Sequence, residues 1–160
     1  YAYMPLRNRI LLAGGYGSGP TTKEDVWASD DGGTCWFPLT ADSDDSATSG
    51  YHAASLVVAT LGGVEILVLA GGNDHGNNNN LLSSVYRSID GGASWEVIAS
   101  SGSMWAGRSY SALVYNLANT RLAIMGGYAS AFVNDFWTAD VTPLFAVRFT
   151  PTLQSHLKLN

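Results

Sequence analysis

The sequence predicts an all-β fold of about three successive four-stranded antiparallel sheets, stacked face to face around an axis as an incomplete ring. Three observations carry this expectation. An apolar run ending in a glycine pair occurs three times, with Gly14, Gly71 and Gly126 spaced 57 and 55 residues apart. An eight-residue pattern, Ser-x-Asp-x-Gly-x-x-Trp, starts at Ser29 and again at Ser88, 59 residues on and therefore in step with the glycine pairs. The composition suits short strands and tight turns, with 18 glycines in 160 residues and 13% charged residues, about half the globular average. Self-similarity at such a period marks a repeat architecture. Blades repeated around an axis make a β-propeller, and a chain of this length with 46% apolar residues can bury a sizeable core.

The first unit, residues 1–49, is a partial blade. Aligning Arg9 with Arg121 sets Tyr3 against Tyr115, so the unit opens inside its first strand. A second strand follows from Ile10 into Gly14-Gly15, then a polar loop, then a third strand around Asp25-Val26-Trp27. The second unit, residues 50–106, opens with Gly50-Tyr51-His52, continues from Ile66 into Gly71-Gly72, and resumes at Ser84-Val85-Tyr86. The third, residues 107–160, has Gly107-Arg108, the run from Leu122 into Gly126-Gly127, and Asn134-Asp135-Phe136-Trp137. It lacks the Ser-x-Asp turn, and the segment from Thr142 to Pro151 is expected to be a fourth strand or a connection elsewhere.

Runs of β-branched and aliphatic residues bounded by Gly, Asn and Ser read as strands, and no useful stretch has helical periodicity. Near-continuous apolarity before each glycine pair predicts a strand buried on both faces. A pair recurring in phase is more than a generic loop feature: without Cβ atoms the backbone can take positive φ and approach its neighbour closely.

These motifs resemble the kelch family, whose unit is a Gly-Arg first strand, an apolar second strand ending in Gly-Gly and a third strand opening Asn-Asp-x-Trp. The third unit fits best, through Gly107-Arg108, Gly126-Gly127 and Asn134-Asp135-Phe136-Trp137. The second departs, with Tyr51-His52 and Ser83-Ser84-Val85-Tyr86 at the matching places. The turn pattern is similar to the Asp box (BNR repeat) of sialidases and other propellers, carried here by Ser29, Asp31, Gly33 and Trp36 and by Ser88, Asp90, Gly92 and Trp95. In such a turn the carboxylate is expected to accept backbone N–H groups two residues on, Gly supplies positive φ, and Trp covers the turn from the core side. Asp31 and Asp90 are therefore expected to shape turns and not to act in catalysis.

An open stack of blades has two apolar faces, and typical propellers close with four to eight blades. The expectation is that further chain on both sides, or otherwise another copy or subunit, covers those faces.

A net charge of −5 offers no positive field for a phosphate backbone, so nucleic acid is not an expected partner. The longest largely apolar run, Val64 to Ala70 with Glu65 inside it, is far too short for a membrane-spanning helix, and membrane insertion is not expected. The single cysteine, Cys35, rules out an internal disulfide. No cofactor is expected. By resemblance alone, the Asp boxes tilt the expectation toward a secreted or extracellular setting.

In kelch-like propellers the loops on one face protrude, and the corresponding segments here are 16–24, 40–49, 73–83, 100–106 and 128–133. Loops carry function more often than strands. Binding candidates on this face are Tyr16, Asp74, His75, Asn77, Asn78, Asn79, Asn80, Trp105, Arg108 and Tyr128. Amide groups beside aromatic platforms suit a polar protein surface or a neutral glycan, while an Asn-rich tract also reads as a solvated insertion with no ligand. Asp74 and His75 are adjacent, and adjacent donors seldom converge on one metal ion; His52 reads as a packed side chain.

No catalytic set emerges. The arginines Arg7, Arg9, Arg87, Arg108, Arg121 and Arg148 come without the Phe/Tyr-Arg-Ile-Pro segment of sialidases. Cys35 lies within a turn motif, the wrong setting for the crosslinked cysteine of galactose oxidase, and Gly14 to Gly19 lack the lysine of a P-loop. The leading expectation is a non-catalytic propeller module that binds protein and serves as a scaffold or structural subunit. The competing one is a propeller that binds or acts on carbohydrate with active residues outside this chain.

Overall fold

The computed structural model describes residues 1–17, 22–40, 51–74, 80–99, 105–140 and 149–151, which contain strands and turns and no helix. The first sheet has the order β1 (Ala2–Met4), β2 (Arg9–Tyr16), β3 (Thr22–Ser29), β4 (Phe37–Thr40). In the second, β5 (Ser55–Leu61) and β6 (Val64–Ala70) are followed by a two-stranded ribbon, β7 (Asn73–Asp74) with β8 (Asn80–Leu81). The sheet then continues through β9 (Val85–Ser88) and β10 (Glu96–Ala99). The third runs β11 (Ala112–Asn116), β12 (Arg121–Met125), β13 (Phe136–Asp140), β14 (Phe149–Pro151). Neighbouring strands pair antiparallel throughout. The end of the 142–151 segment thus supplies a fourth strand, and Pro151 is tolerated there because β14 is an edge strand.

Strand β6 is the centre of the molecule because its side chains alternate between two cores. Ile66, Val68 and Ala70 pack with Leu113, Leu122 and Ile124 of the third sheet. Leu67, on the opposite face, packs with Met4, Leu11 and Val26 of the first. Each such aliphatic side chain contributes roughly 1.5–3 kcal/mol when fully buried. Burial on both faces explains the unbroken apolar run. The matching strands of the outer sheets differ: on β2 Leu11 is buried while Leu12 is 42% exposed, whereas on β12 Leu122, Ala123 and Ile124 are all buried.

The first two glycine pairs are the joints between sheets. Gly71 and Gly72 have φ of 67° and 106°, and a Cβ on Gly71 would stand 2.7 Å from the Arg108 carbonyl oxygen. That space is needed because Gly72 N–H donates to Arg108 C=O at 2.7 Å while Arg108 N–H donates to Leu82 C=O at 3.0 Å. The preceding joint repeats the arrangement: Gly15 N–H reaches Tyr51 C=O and Tyr51 N–H reaches Lys23 C=O, each at 2.9 Å. The opening of each sheet is thereby stitched to the glycine pair of the sheet before it.

The two Ser-x-Asp turns share one network. Asp31 Oδ1 accepts from Ser29 Oγ, Thr34 N–H and Cys35 N–H at 2.8, 3.0 and 2.9 Å. Asp90 Oδ1 accepts from Ser88 Oγ at 2.8 Å and Ser94 N–H at 2.9 Å. The serine then accepts from the glycine, Gly33 N–H at 2.8 Å and Gly92 N–H at 2.9 Å. The carboxylate therefore reaches three and four residues on, and not two, because the turn is wider than a simple Asx turn. The tryptophans close the loop by donating from Nε1 to Gly33 C=O at 3.0 Å and Gly92 C=O at 3.1 Å. Trp36 is 37% exposed and so does not cover its turn from a core, whereas Trp95 packs against the first core.

Candidate functional site

Segments that follow the glycine pairs gather at one end of the sheets. There His52 pairs with Asn73 across a bridge, and Ser109 with Tyr128. Three rings form an arc across the three sheets: Tyr16 lies 5.3 Å from His52, and His52 lies 6.0 Å edge-on from Tyr110. Tyr16 is 52% exposed and Tyr110 68%. A second exposed pair, Tyr128 and Phe132, meets edge to face at 5.6 Å.

Tyr110 is held at φ 57° and its repeat equivalent Ala53 at φ 54°. The left-handed region disfavours a bulky residue by roughly 1–2 kcal/mol. The conformation is maintained by Tyr110 N–H donating to Ala53 C=O at 3.0 Å, which ties the second sheet to the third.

The structure places the proposed binding residues unevenly. Tyr16 and Tyr128 are on the exposed face, and Asn80 is exposed on β8 opposite Asp74. Asp74 itself is buried, and its Oδ1 has no hydrogen-bond partner among the described residues. His75, Asn77, Asn78 and Asn79 lie outside the described residues. Two expectations are corrected. Trp105 is 2% exposed and belongs to the core with Leu122 and Ile124, so it is no surface platform. Arg108 is 1% exposed and points inward, donating to Asp135 at 2.5 and 2.8 Å and to Gly126 C=O at 2.9 Å.

That inward cluster is a structural ion pair. The Arg108 guanidinium, aided by Trp137 Nε1–H at 2.8 Å, holds the Asp135 carboxyl below its ordinary range against the opposing effect of burial. In the second sheet Tyr51 stands at the Arg108 position and Tyr86 at the Trp137 position, edge to face at 5.1 Å. Burial, with Tyr86 beside it, pushes the Tyr51 phenol up. Both tyrosines line an apolar cavity of about 130 Å³ between the first and second sheets, with Ala13, Val26, Leu69 and Trp95. Among the described residues no group of three His, Cys, Asp or Glu side chains is placed to hold a metal ion.

The sequence reading missed Tyr110 and Phe132. The signal for Tyr110 was its place after Gly107-Arg108-Ser109, matching Ala53 after Gly50-Tyr51-His52. Nothing local announces that this position takes positive φ.

The family model described as the DUF6242 beta propeller domain matches residues 5–142. Among solved structures, the chain is similar to the one described as "Structure of YjhT", with a TM-score of 0.62 and 18% identity. The match covers 89% of this chain and 42% of that one, so the chain spans less than half the length of that structure. Identity at this level speaks for the fold alone. No curated protein matches the chain. The three stacked four-stranded sheets and the family match agree: the chain belongs to the DUF6242 beta propeller domain family, and its fold is a β-propeller.

Proposed function

We propose that this propeller is a non-catalytic interaction module, built of kelch-type blades with Asp-box turns, that binds a protein partner within a larger protein or assembly. The observation that carries this reading is Tyr110. A tyrosine kept in a disfavoured backbone region, 68% exposed and edge-on to His52 in an arc that continues to Tyr16, is a pre-organised anchor of the sort that dominates protein interfaces. The blades' ionic and turn networks support a scaffold role, since Arg108, Asp135, Asp31 and Asp90 serve the fold.

Glycine at position 110 separates binding from folding because it relaxes the strained φ and removes the ring. Tyr110→Gly is expected to leave the melting temperature unchanged or higher and to weaken binding of a stoichiometric co-purified partner at least about tenfold. Unchanged partner binding by Tyr110→Gly and by Tyr16→Ala would overturn the reading.

The second reading, carbohydrate binding, is favoured by the buried Asp74, whose Oδ1 lacks a partner among the described residues, and by Asn73 bridged to His52 beside the aromatic arc. Selective glycan-array binding, lost on Tyr16→Ala and Asn80→Ala, would favour it over a protein partner.

A further inference from the structure

The two interfaces between sheets are built alike and filled differently. Between the second and third sheets, the buried Trp105 belongs to a core with Ala70 and Val85, which pair across β6 and β9, and with Ile124, two residues before Gly126. Between the first and second sheets, the matching residues are Ala13 and Val26, which pair across β2 and β3, and Leu69, two residues before Gly71. All three line the apolar cavity of about 130 Å³. A cavity therefore stands where the neighbouring interface carries an indole ring. The repeat agrees: counted back from Gly50 and Gly107, Thr48 takes the place of Trp105 in the first unit, although residue 48 lies outside the described residues.

The walls suit a single aromatic ring. Apolar cavities of about 150 Å³ take up benzene, and the space here is close to that size. Tyr51, Tyr86 and Trp95 complete the lining and offer ring faces and edges to a guest. These rings are set in advance. Trp95 Nε1–H donates to Gly92 C=O at 3.1 Å, Tyr51 meets Tyr86 edge-on at 5.1 Å, and the Tyr51 backbone is tied to Gly15 and Lys23. Little ordering is then left for binding to impose. Val26 and Leu69 are buried, whereas Ala13, Tyr51, Tyr86 and Trp95 are half-buried, so a molecule from solvent reaches the cavity past them.

No charged side chain lines the cavity. Burial, with Tyr86 and then Glu24 beside it, keeps the Tyr51 phenol neutral, and the same surroundings disfavour an anionic guest. We propose that the cavity between the first and second sheets is a binding site for one small, neutral, planar aromatic molecule of phenol to indole size. The chain's own Trp105 shows how such a ring sits in the equivalent place one interface along.

Indole added to the full chain tests this. At about 2 mM it is expected to raise the melting temperature by about 3 °C, because a ligand that binds only the folded state stabilises it by mass action. Benzoate, a ring that carries a negative charge, is expected to leave the melting temperature where it was. Ala13→Phe supplies a ring from the chain itself and is expected to abolish the response to indole. In NMR spectra of the unaltered protein, indole protons are expected to show nuclear Overhauser contacts with the methyl groups of Val26 and Leu69, a readout that needs no variant to fold. A melting temperature indifferent to indole, an equal response to benzoate, or a response without those methyl contacts would each overturn the proposal. So would an indole response that survives in folded Ala13→Phe. None of these readouts involves Tyr16, His52 or Tyr110, so they stand apart from whether the aromatic arc binds a protein.

Discussion

The two Ser-x-Asp-x-Gly-x-x-Trp turns share a core of hydrogen bonds, from serine to carboxylate, glycine N–H to serine and indole to glycine carbonyl, in opposite surroundings. A Cβ on Gly92 would stand 2.5 Å from Leu11 Cδ2 and 3.1 Å from Leu39 Cδ1, because the second blade's turn presses into the core of the first. A Cβ on Gly33 would meet only the Trp36 ring, at 3.8 Å. The glycines have nearly the same φ, 94° at Gly33 and 98° at Gly92. Backbone chemistry therefore asks the same of both positions, and packing alone separates them. One motif acts as a local turn in the first blade and as both turn and inter-blade wedge in the second.

The largest expected difference comes from the glycines. Gly92→Ala combines a strained φ with a clash in a packed core and should destabilise by about 3 kcal/mol or more, against about 1 kcal/mol for Gly33→Ala. Urea unfolding of the two variants measures the gap; equal losses would show that the wedge contributes nothing. Next come the tryptophans. Trp95→Ala removes a side chain packed against the first core and should cost about 3 kcal/mol, while Trp36→Ala, at a ring 37% exposed, should cost about 1 kcal/mol.

The smallest effect is electrostatic. Partial burial works against the Asp90 charge, but hydrogen bonds from the Ser94 hydroxyl and N–H and from Ser88 Oγ outweigh it and hold the carboxyl at about 2, below its ordinary 3.8. A carboxyl depressed in the folded state binds its proton more readily when unfolded. Its stabilisation is therefore complete above about pH 5 and is lost as pH falls from there toward 2. After allowance for solvent screening, Asp90→Asn should remove about 1 kcal/mol at pH 7 and flatten the acid limb of the stability profile. Denaturant midpoints between pH 2 and 7 test this, and a variant with the wild-type slope would assign the acid sensitivity to other carboxylates. Asp31 is also lowered, chiefly by the Cys35 N–H and the Ser29 hydroxyl, and sits in open solvent.

The fold was readable from the chain because its signals recur. Three glycine pairs in phase announced the joints, and the unbroken run from Ile66 to Ala70 announced a strand covered on both sides. The candidate site was less readable. Trp105 and Arg108 resembled surface binding residues in a list of loop positions, yet both are buried. Trp105 is enclosed by side chains of the second and third blades, and Arg108 is drawn inward by a carboxylate 27 residues away. Tyr110 went unnoticed for the converse reason, since its strained φ is set by the Ala53 carbonyl of another sheet.

Residue order alone was enough wherever the interacting groups lie within a few positions of one another. The turn of Ser88, Asp90, Gly92 and Trp95 closes on itself through bonds spanning two to four residues. Which copy of that turn is crowded, which ring faces solvent and which arginine is neutralised depended on the tertiary structure. Each of those outcomes is settled by side chains that only the stacking of sheets brings together: Gly92 is crowded by Leu11, a residue of the neighbouring blade, while Gly33 is met only by its own Trp36.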